Sequence, residues 1–180
     1  TNGSGAAVFV SDASARLTNV LIYGNTSAVG GGVFFSATVP SQTVAVNNCT
    51  IANNTGGGVW AEGVGTVTVS NSIAWGNGDD LRGVASSNVV FSNVQQDGWG
   101  TEGHNISADP LFVSPGDGNF RLQTNSPCID SADIAVAPST DIDGRLRYDD
   151  AATLPNGALY PDMGAYEYGG VVSATTTTTS

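Results

Sequence analysis

The sequence predicts an all-β fold wound as a single-stranded parallel β-helix, a solenoid of stacked coils. Three observations predict it. The 180 residues include 24 Gly and are otherwise rich in Val, Thr, Ser and Asn, a composition of short strands and many turns. Amphipathic runs of helical period are missing. The chain also repeats itself at a spacing in the twenties, the signature of a solenoid. Charged residues make up only 12% of the chain, but 40% are hydrophobic, enough to bury a core, so low charge does not signal disorder.

The repeat aligns "LTNVLIYGNTSA" from Leu17, "VNNCTIANNTGG" from Val46 and "VSNSIAWGNGDD" from Val69. Leu17, Val46 and Val69 share an apolar column. Asn19, Asn48 and Asn71 follow two residues later, and Asn25, Asn54 and Asn77 six residues after those. A fourth pass at Phe91–Asn93 extends the first Asn column to Asn93, giving Asn-to-Asn spacings of 29, 23 and 22 residues. Helical repeats need runs of helix formers, which these segments lack. Short β-branched runs separated by Gly and Asn suit strands that pair with the coils above and below.

Within the second coil, Val44 and Val46 are expected to face the core, because strand side chains alternate. Ile51 returns to the core, matched by Ile22 and Ala74. Asn48 sits at a bend, its amide within reach of the equivalent Asn one coil away, so that Asn19, Asn48, Asn71 and Asn93 form a stacked amide ladder. Asn54 is expected to open the next turn in left-handed backbone, Gly56–Gly58 to complete the corner, and Val59 to begin the next strand. Tyr23 and Trp75 share an outward column with Ala52 between them. That column either stacks sugar rings or packs beneath a loop.

Net charge is -11, with no Lys and five Arg. Such a chain repels phosphate backbones and anionic membranes, which excludes nucleic acid as a partner. No stretch reaches the ~18 apolar residues that would place a segment in a bilayer, so membrane insertion is not expected. The charge is uneven: before Asn77 the acids are Asp12 and Glu62 alone, and the C-terminal part is acidic. Cys49 and Cys128 either pair in an oxidising compartment or remain small buried residues.

Three stretches organise the chain: coils over 1–97, further coils and a cap of the same domain over 98–170, and a Thr-rich tail over 171–180. The segment from Gly98 is turn-rich (Asp109-Pro110, Pro115-Gly116, Asp117-Gly118, Ser126-Pro127). Leu111, Phe112, Phe120, Leu122 and Ile129 are expected to cover the exposed end of the solenoid, since an open end leaves unpaired edges. Arg145 and Arg147 are expected to pair with Asp162 or Glu167.

In order along the chain come "NSIAWGN", "NISADPLFV", "FRLQTNSPCID", "DIDGRLR" and "DMGAYEY". Together they resemble the C-terminal region of bacterial secreted right-handed β-helix proteins of the choice-of-anchor Q type, which are similar to polymorphic outer-membrane repeats. The resemblance spans about residues 69–168. It implies a right-handed solenoid with an irregular C-terminal cap and an extracellular or cell-surface location. It implies no particular enzyme.

The search for chemistry returns little. "DIDG" has the Asp-x-Asp-Gly spacing that opens calcium loops, but Thr153 stands where a bidentate acid is needed. A looser calcium site from Asp141, Asp143 and Asp149 or Asp150 remains a candidate, against a turn tied by Arg–Asp pairs. A lyase needs a basic residue, and Arg16 is the only one in the first three coils. A hydrolase needs paired carboxylates, and Asp12 and Glu62 sit at unmatched coil offsets. Asp79 and Asp80 read as a solvated corner, and His104 as a surface loop residue. No catalytic set can be assembled.

The chain starts with Thr rather than Met and enters a coil almost at once, which reads as a processed protein or a fragment. Either more coils precede it or a second copy covers that face, the latter giving head-to-tail filaments. The tail Thr175, Thr176, Thr177, Thr178 and Thr179 suits a glycosylated linker or a strand added to a neighbour's edge. The expected function is a secreted or cell-surface structural or adhesive protein. Its partners are itself or glycans, and the alternative is a carbohydrate-binding or polysaccharide-degrading module.

Overall fold

The computed structural model describes residues 5–96, 98–99, 102–147 and 161–170. The first coil holds β1 (Val8–Ser11), β2 (Ala15–Thr18) and β3 (Leu21–Tyr23). The second holds β4 (Val33–Ala37), β5 (Thr43–Asn47) and β6 (Thr50–Ala52), and the third β7 (Val59–Gly63), β8 (Thr66–Ser70) and β9 (Ile73–Trp75). A shortened fourth holds β10 (Leu81–Arg82), β11 (Val89–Val90) and β12 (Asn93–Val94). Equivalent strands pair in parallel, giving three four-stranded sheets: β1-β4-β7-β10, β2-β5-β8-β11 and β3-β6-β9-β12. The fold is the expected parallel β-helix.

Register follows the sequence repeat through three coils. Leu17, Val46 and Val69 stack in the second sheet, and Ile22, Ile51 and Ala74 in the third. These side chains, with Val33, Phe35, Val44 and Val59, fill the interior. Burying each such side chain contributes on the order of 1.5–3 kcal/mol. The Gly56–Gly58 corner explains its own composition. Gly56 has a φ of 90°, and a Cβ there would fall on the Ser27 carbonyl oxygen of the coil before. The backbones of stacked corners touch, so side chains are excluded.

Past β12, Ile106 bridges to Asn93 and Trp99 packs against the interior cluster. The rest of the chain is irregular apart from the antiparallel hairpin of β13 (Phe112–Ser114) and β14 (Asn119–Leu122). It does not close the end of the stack, as expected for Leu111, Phe112, Phe120, Leu122 and Ile129. It lies along the side, over the outer face of the third sheet. There Phe112, Phe120, Leu122, Cys128 and Met163 form a second core with Ala52 and Ile73, and Ile129 packs against its margin. The reason is in the third sheet. Its outward rows Leu21–Thr50–Ile73 and Tyr23–Ala52–Trp75 are mostly apolar, so this face needs a cover as much as an end does.

Candidate functional site

Two Asn columns run along the stack, and they do different jobs. Asn19, Asn48 and Asn71 occupy the two-residue bend between the second and third sheets, with φ of 54°, 48° and 51°. Asn tolerates this left-handed backbone better than most residues. One rung joins neighbouring coils, Asn71 Nδ2 donating to Asn48 Oδ1 at 3.2 Å. The remaining amide groups hold the lateral segment. Asn19 Nδ2 donates to the Thr140 carbonyl (2.6 Å), Asn48 Nδ2 to that of Asp162 (3.3 Å) and Asn71 Nδ2 to that of Asp133 (2.9 Å), while the Asp133 N–H donates back to Asn71 Oδ1 (2.8 Å).

Asn93 does not join this column. Val89, 20 residues after Val69, is its register partner. The fourth coil is therefore shorter than the sequence alignment assumes, and Asn93 lies in β12 opposite Ile73. Phe91 fills the bend instead, at φ 47°. Asn93 uses its amide on the Ala108 carbonyl and the Cys128 sulfur.

Asn25, Asn54 and Asn77 form the continuous ladder. Asn25 Nδ2 donates to Asn54 Oδ1 and Asn54 Nδ2 to Asn77 Oδ1, both at 2.9 Å, and each acceptor also takes the backbone N–H above it at 3.0 Å. None of the three is left-handed. Gly24, Asn53 and Gly76, one residue earlier, carry the positive φ. The ladder ends on Asp80, which is 2% exposed rather than solvated. Burial raises its pKa.

A hydroxyl column beside the first bend was not recognised in the sequence. The Cys49 N–H donates to Ser72 Oγ, the Ser72 N–H to Ser92 Oγ and the Ser92 N–H to Asn105 Oδ1, at 3.1, 3.2 and 3.0 Å. Ser72, Ser92 and Asn105 carried the signal, but the shortened fourth coil hid the alignment.

Tyr23, Ala52 and Trp75 do share one outward column. They present no common platform. Trp75 packs into the second core, and the Phe120 ring lies 4.9 Å from Tyr23. Asp141 and Asp143 are engaged by the chain's own donors. Asp141 Oδ1 accepts from the Asp143 and Arg145 N–H groups (2.9 and 2.8 Å), its Oδ2 from the Glu167 N–H (2.9 Å), and Asp143 pairs with Arg121. Asp149 and Asp150 lie outside the described residues, as does the tail Thr175–Thr179. Among the described residues no cluster of three His, Cys, Asp or Glu side chains is placed to hold a metal. Cys49 and Cys128 are separate buried thiols, which burial pushes up to about 11 and about 12.

Arg147 pairs with Glu167 at 3.1 Å, with both side chains buried. It also donates to Asn19 Oδ1 and to the Asp162 and Gly164 carbonyls. Among the described residues Arg145 makes no ion pair, and it donates to the Gly170 carbonyl. Asp162 accepts from the Asp130 and Tyr168 N–H groups at 2.9 and 2.5 Å. Burial raises Asp162 to about 7, and burial together with the Asp162 charge raises Glu167 to about 8.

Among the described residues, two surfaces present exposed aromatic side chains beside charged or polar ones. On the first sheet, Phe9, Phe34, Trp60 and Arg82 share an outward row. Phe9 stacks on Phe34 at 5.5 Å, Trp60 meets Phe34 edge-on at 6.0 Å, and the Arg82 guanidinium lies 3.9 Å above the Trp60 ring. Phe34 is only 5% exposed and Phe9 56%, so the row is rigid and shows Phe9, Trp60 and Arg82 to solvent. Ser11, Ser36 and Glu62 stand beside it. The second surface is a cleft between the fourth coil and the lateral segment, lined by Phe91, His104, Asp130, Ser131 and Asp133 over a floor that includes Met163. His104, an exposed loop residue, stacks on Phe91 at 4.6 Å. Asp12 and Glu62 do not converge: Asp12 accepts from Thr38, while Glu62 is exposed in β7.

These features define a parallel β-solenoid with a lateral C-terminal segment and with its buried Asn, Ser and Asp side chains bonded within the fold. A family model described as "Right handed beta helix region" matches residues 1–106. The chain belongs to the right-handed β-helix family. No curated protein and no solved structure matches it.

Proposed function

We propose that the protein is a structural and adhesive β-helix of the bacterial cell exterior, a rigid rod that attaches to glycan through the open face of its first sheet. The outward row of Phe9, Phe34, Trp60 and Arg82 carries this reading. Stacking fixes the rings in advance, so little side-chain entropy is lost on contact. The neighbouring Ser11, Ser36 and Glu62 offer hydroxyl and carboxylate partners to sugar hydroxyls. The third sheet is covered by the lateral segment, and the outward residues Arg16, Ala45 and Thr68 of the second are not aromatic. The resemblance to choice-of-anchor Q proteins supports an exported protein. End-to-end polymerisation, the other expectation, would cover the open face of the first coil with a second copy or add Thr175–Thr179 as a strand, and that tail lies outside the described residues.

Binding to a glycan array and to insoluble polysaccharides tests the reading. The wild type is expected to be retained, and the variant carrying Trp60→Ala and Arg82→Ala to lose about tenfold in affinity with nearly unchanged melting. A wild type that binds no glycan, or a double variant that binds equally well, overturns it.

A further inference from the structure

The cleft beside the fourth coil is a different surface, and it contains the one break in the bend column. Asn fills that left-handed bend in three coils. Phe91 fills it in the fourth, at φ 47°, where an aromatic residue is strained. Such strain persists only where the surroundings impose it. The Phe91 ring is not in the solenoid interior. It packs at the margin of the second core and stacks with His104, itself at φ 60°. Asp133 stands across the same cleft, Asp130 lines it with one carboxylate oxygen buried in the protein, and no Arg is among its described lining residues. The Asp133 backbone is pinned on both its N–H and its carbonyl by Asn71.

We infer that this cleft binds an amino sugar. Its CH-rich ring face would lie on the Phe91–His104 pair and its ammonium would face Asp133. Charge complementarity selects the class: the Asp133 carboxylate, with no Arg among the described lining residues, repels uronates and phosphates and favours a cation near an aromatic pair. The size selects a sugar over a bare ammonium, since the cleft measures 620 Å³, within the usual range for small-molecule sites. Ser131 Oγ directs its one proton between the Pro127 and Ile129 carbonyls, leaving its lone pairs for a ligand hydroxyl. The inference uses no residue of the first sheet, so it stands independently of the adhesive reading.

The chain has one His, so its imidazole signals report this cleft without ambiguity. Titration with glucosamine is expected to shift them saturably, and glucose to leave them in place. Asp133→Asn keeps the backbone contacts with Asn71 and an oxygen for the Ala135 N–H that now donates to Oδ1, and it is expected to weaken binding about threefold to tenfold. Phe91→Asn restores the residue type of the other coils, so it is expected to fold and to lose binding. No saturable shift with glucosamine, equal affinity for glucose, or undiminished affinity in either folded variant overturns the inference.

Discussion

Asn77 donates two N–H groups to one oxygen of Asp80, its backbone N–H at 3.0 Å and its amide at 2.8 Å. The ladder from Asn25 to Asn77 has a direction, because each amide donates to the oxygen of the next. Its last member needs a partner that only accepts, and a carboxylate is one. Asp80→Ala leaves both Asn77 donors without that oxygen in a buried site. A loss of about 2–3 kcal/mol is expected in chemical denaturation. Asp80→Asn retains the accepting oxygen but turns an amine toward the Gln96 N–H that now donates to Asp80 Oδ2, and about 1 kcal/mol is expected.

The lateral segment crosses the third sheet at Gly164. Its N–H donates to the Asn71 carbonyl at 2.8 Å, its φ is 94°, and a Cβ there would come within 2.8 Å of Ile73 Cδ1. Gly164→Ala is therefore expected to cost about 1–3 kcal/mol. Limited proteolysis within 107–147 is expected to accelerate more than cleavage within the coils, because the second core loosens first.

Arg147 is the charge that ties this segment to the first coil. Removing it strands Glu167 in a buried position and leaves Asn19 Oδ1 without its guanidinium donor. With Glu167 largely protonated at pH 7, the loss is that of the buried hydrogen bonds to Glu167, Asn19 and the Asp162 and Gly164 carbonyls, and Arg147→Ala is expected to cost about 2–3 kcal/mol. Hydrogen exchange should rise at Asp162, Gly164 and Glu167 while the β5 and β8 amides remain protected.

Asp162 and Glu167 give stability a pH dependence of definite sign. Their folded pKa values, about 7 and about 8, exceed the ordinary 3.8 and 4.5. The folded protein therefore holds these protons more tightly than the unfolded chain. Their contribution is full below about pH 4 and is lost as pH rises through 7 to 8. The raised Asp80 acts in the same direction. Unfolding free energy is expected to fall between about pH 5 and pH 8 by up to roughly 1.4 kcal/mol per pH unit for each proton released, and melting temperature to fall with it. Asp162→Asn should flatten the slope, and a flat wild-type profile would contradict this account.

Cys49 and Cys128 are expected to resist alkylation in the native protein and to react only after unfolding. Reductant should leave the melting temperature unchanged. Burial deprives both thiols of the thiolate form and of access to the reagent.

Strand and coil were readable from the chain itself. Alternation placed Val44, Val46 and Val69 inside, and a repeat of fixed offset aligned Ile22 with Ile51 and Ala74, because local sterics and side-chain period act within one coil. The same local rules put Asn48 at a bend, where it lies, and left-handed backbone at Asn54, where Asn53 one residue earlier takes it instead. What local pattern could not supply was any quantity set by contact between distant segments. The fourth coil is shortened, so register passed to Phe91 rather than Asn93, and only pairing across strands reveals that shift. Asp80 looks solvated beside Asp79, but the amide column above it supplies the donors that make its burial tolerable. The place of the C-terminal segment was likewise decided by tertiary structure. An apolar outer sheet face and a row of unspent Asn amides drew it along the side of the stack, where burial and hydrogen bonds are gained together.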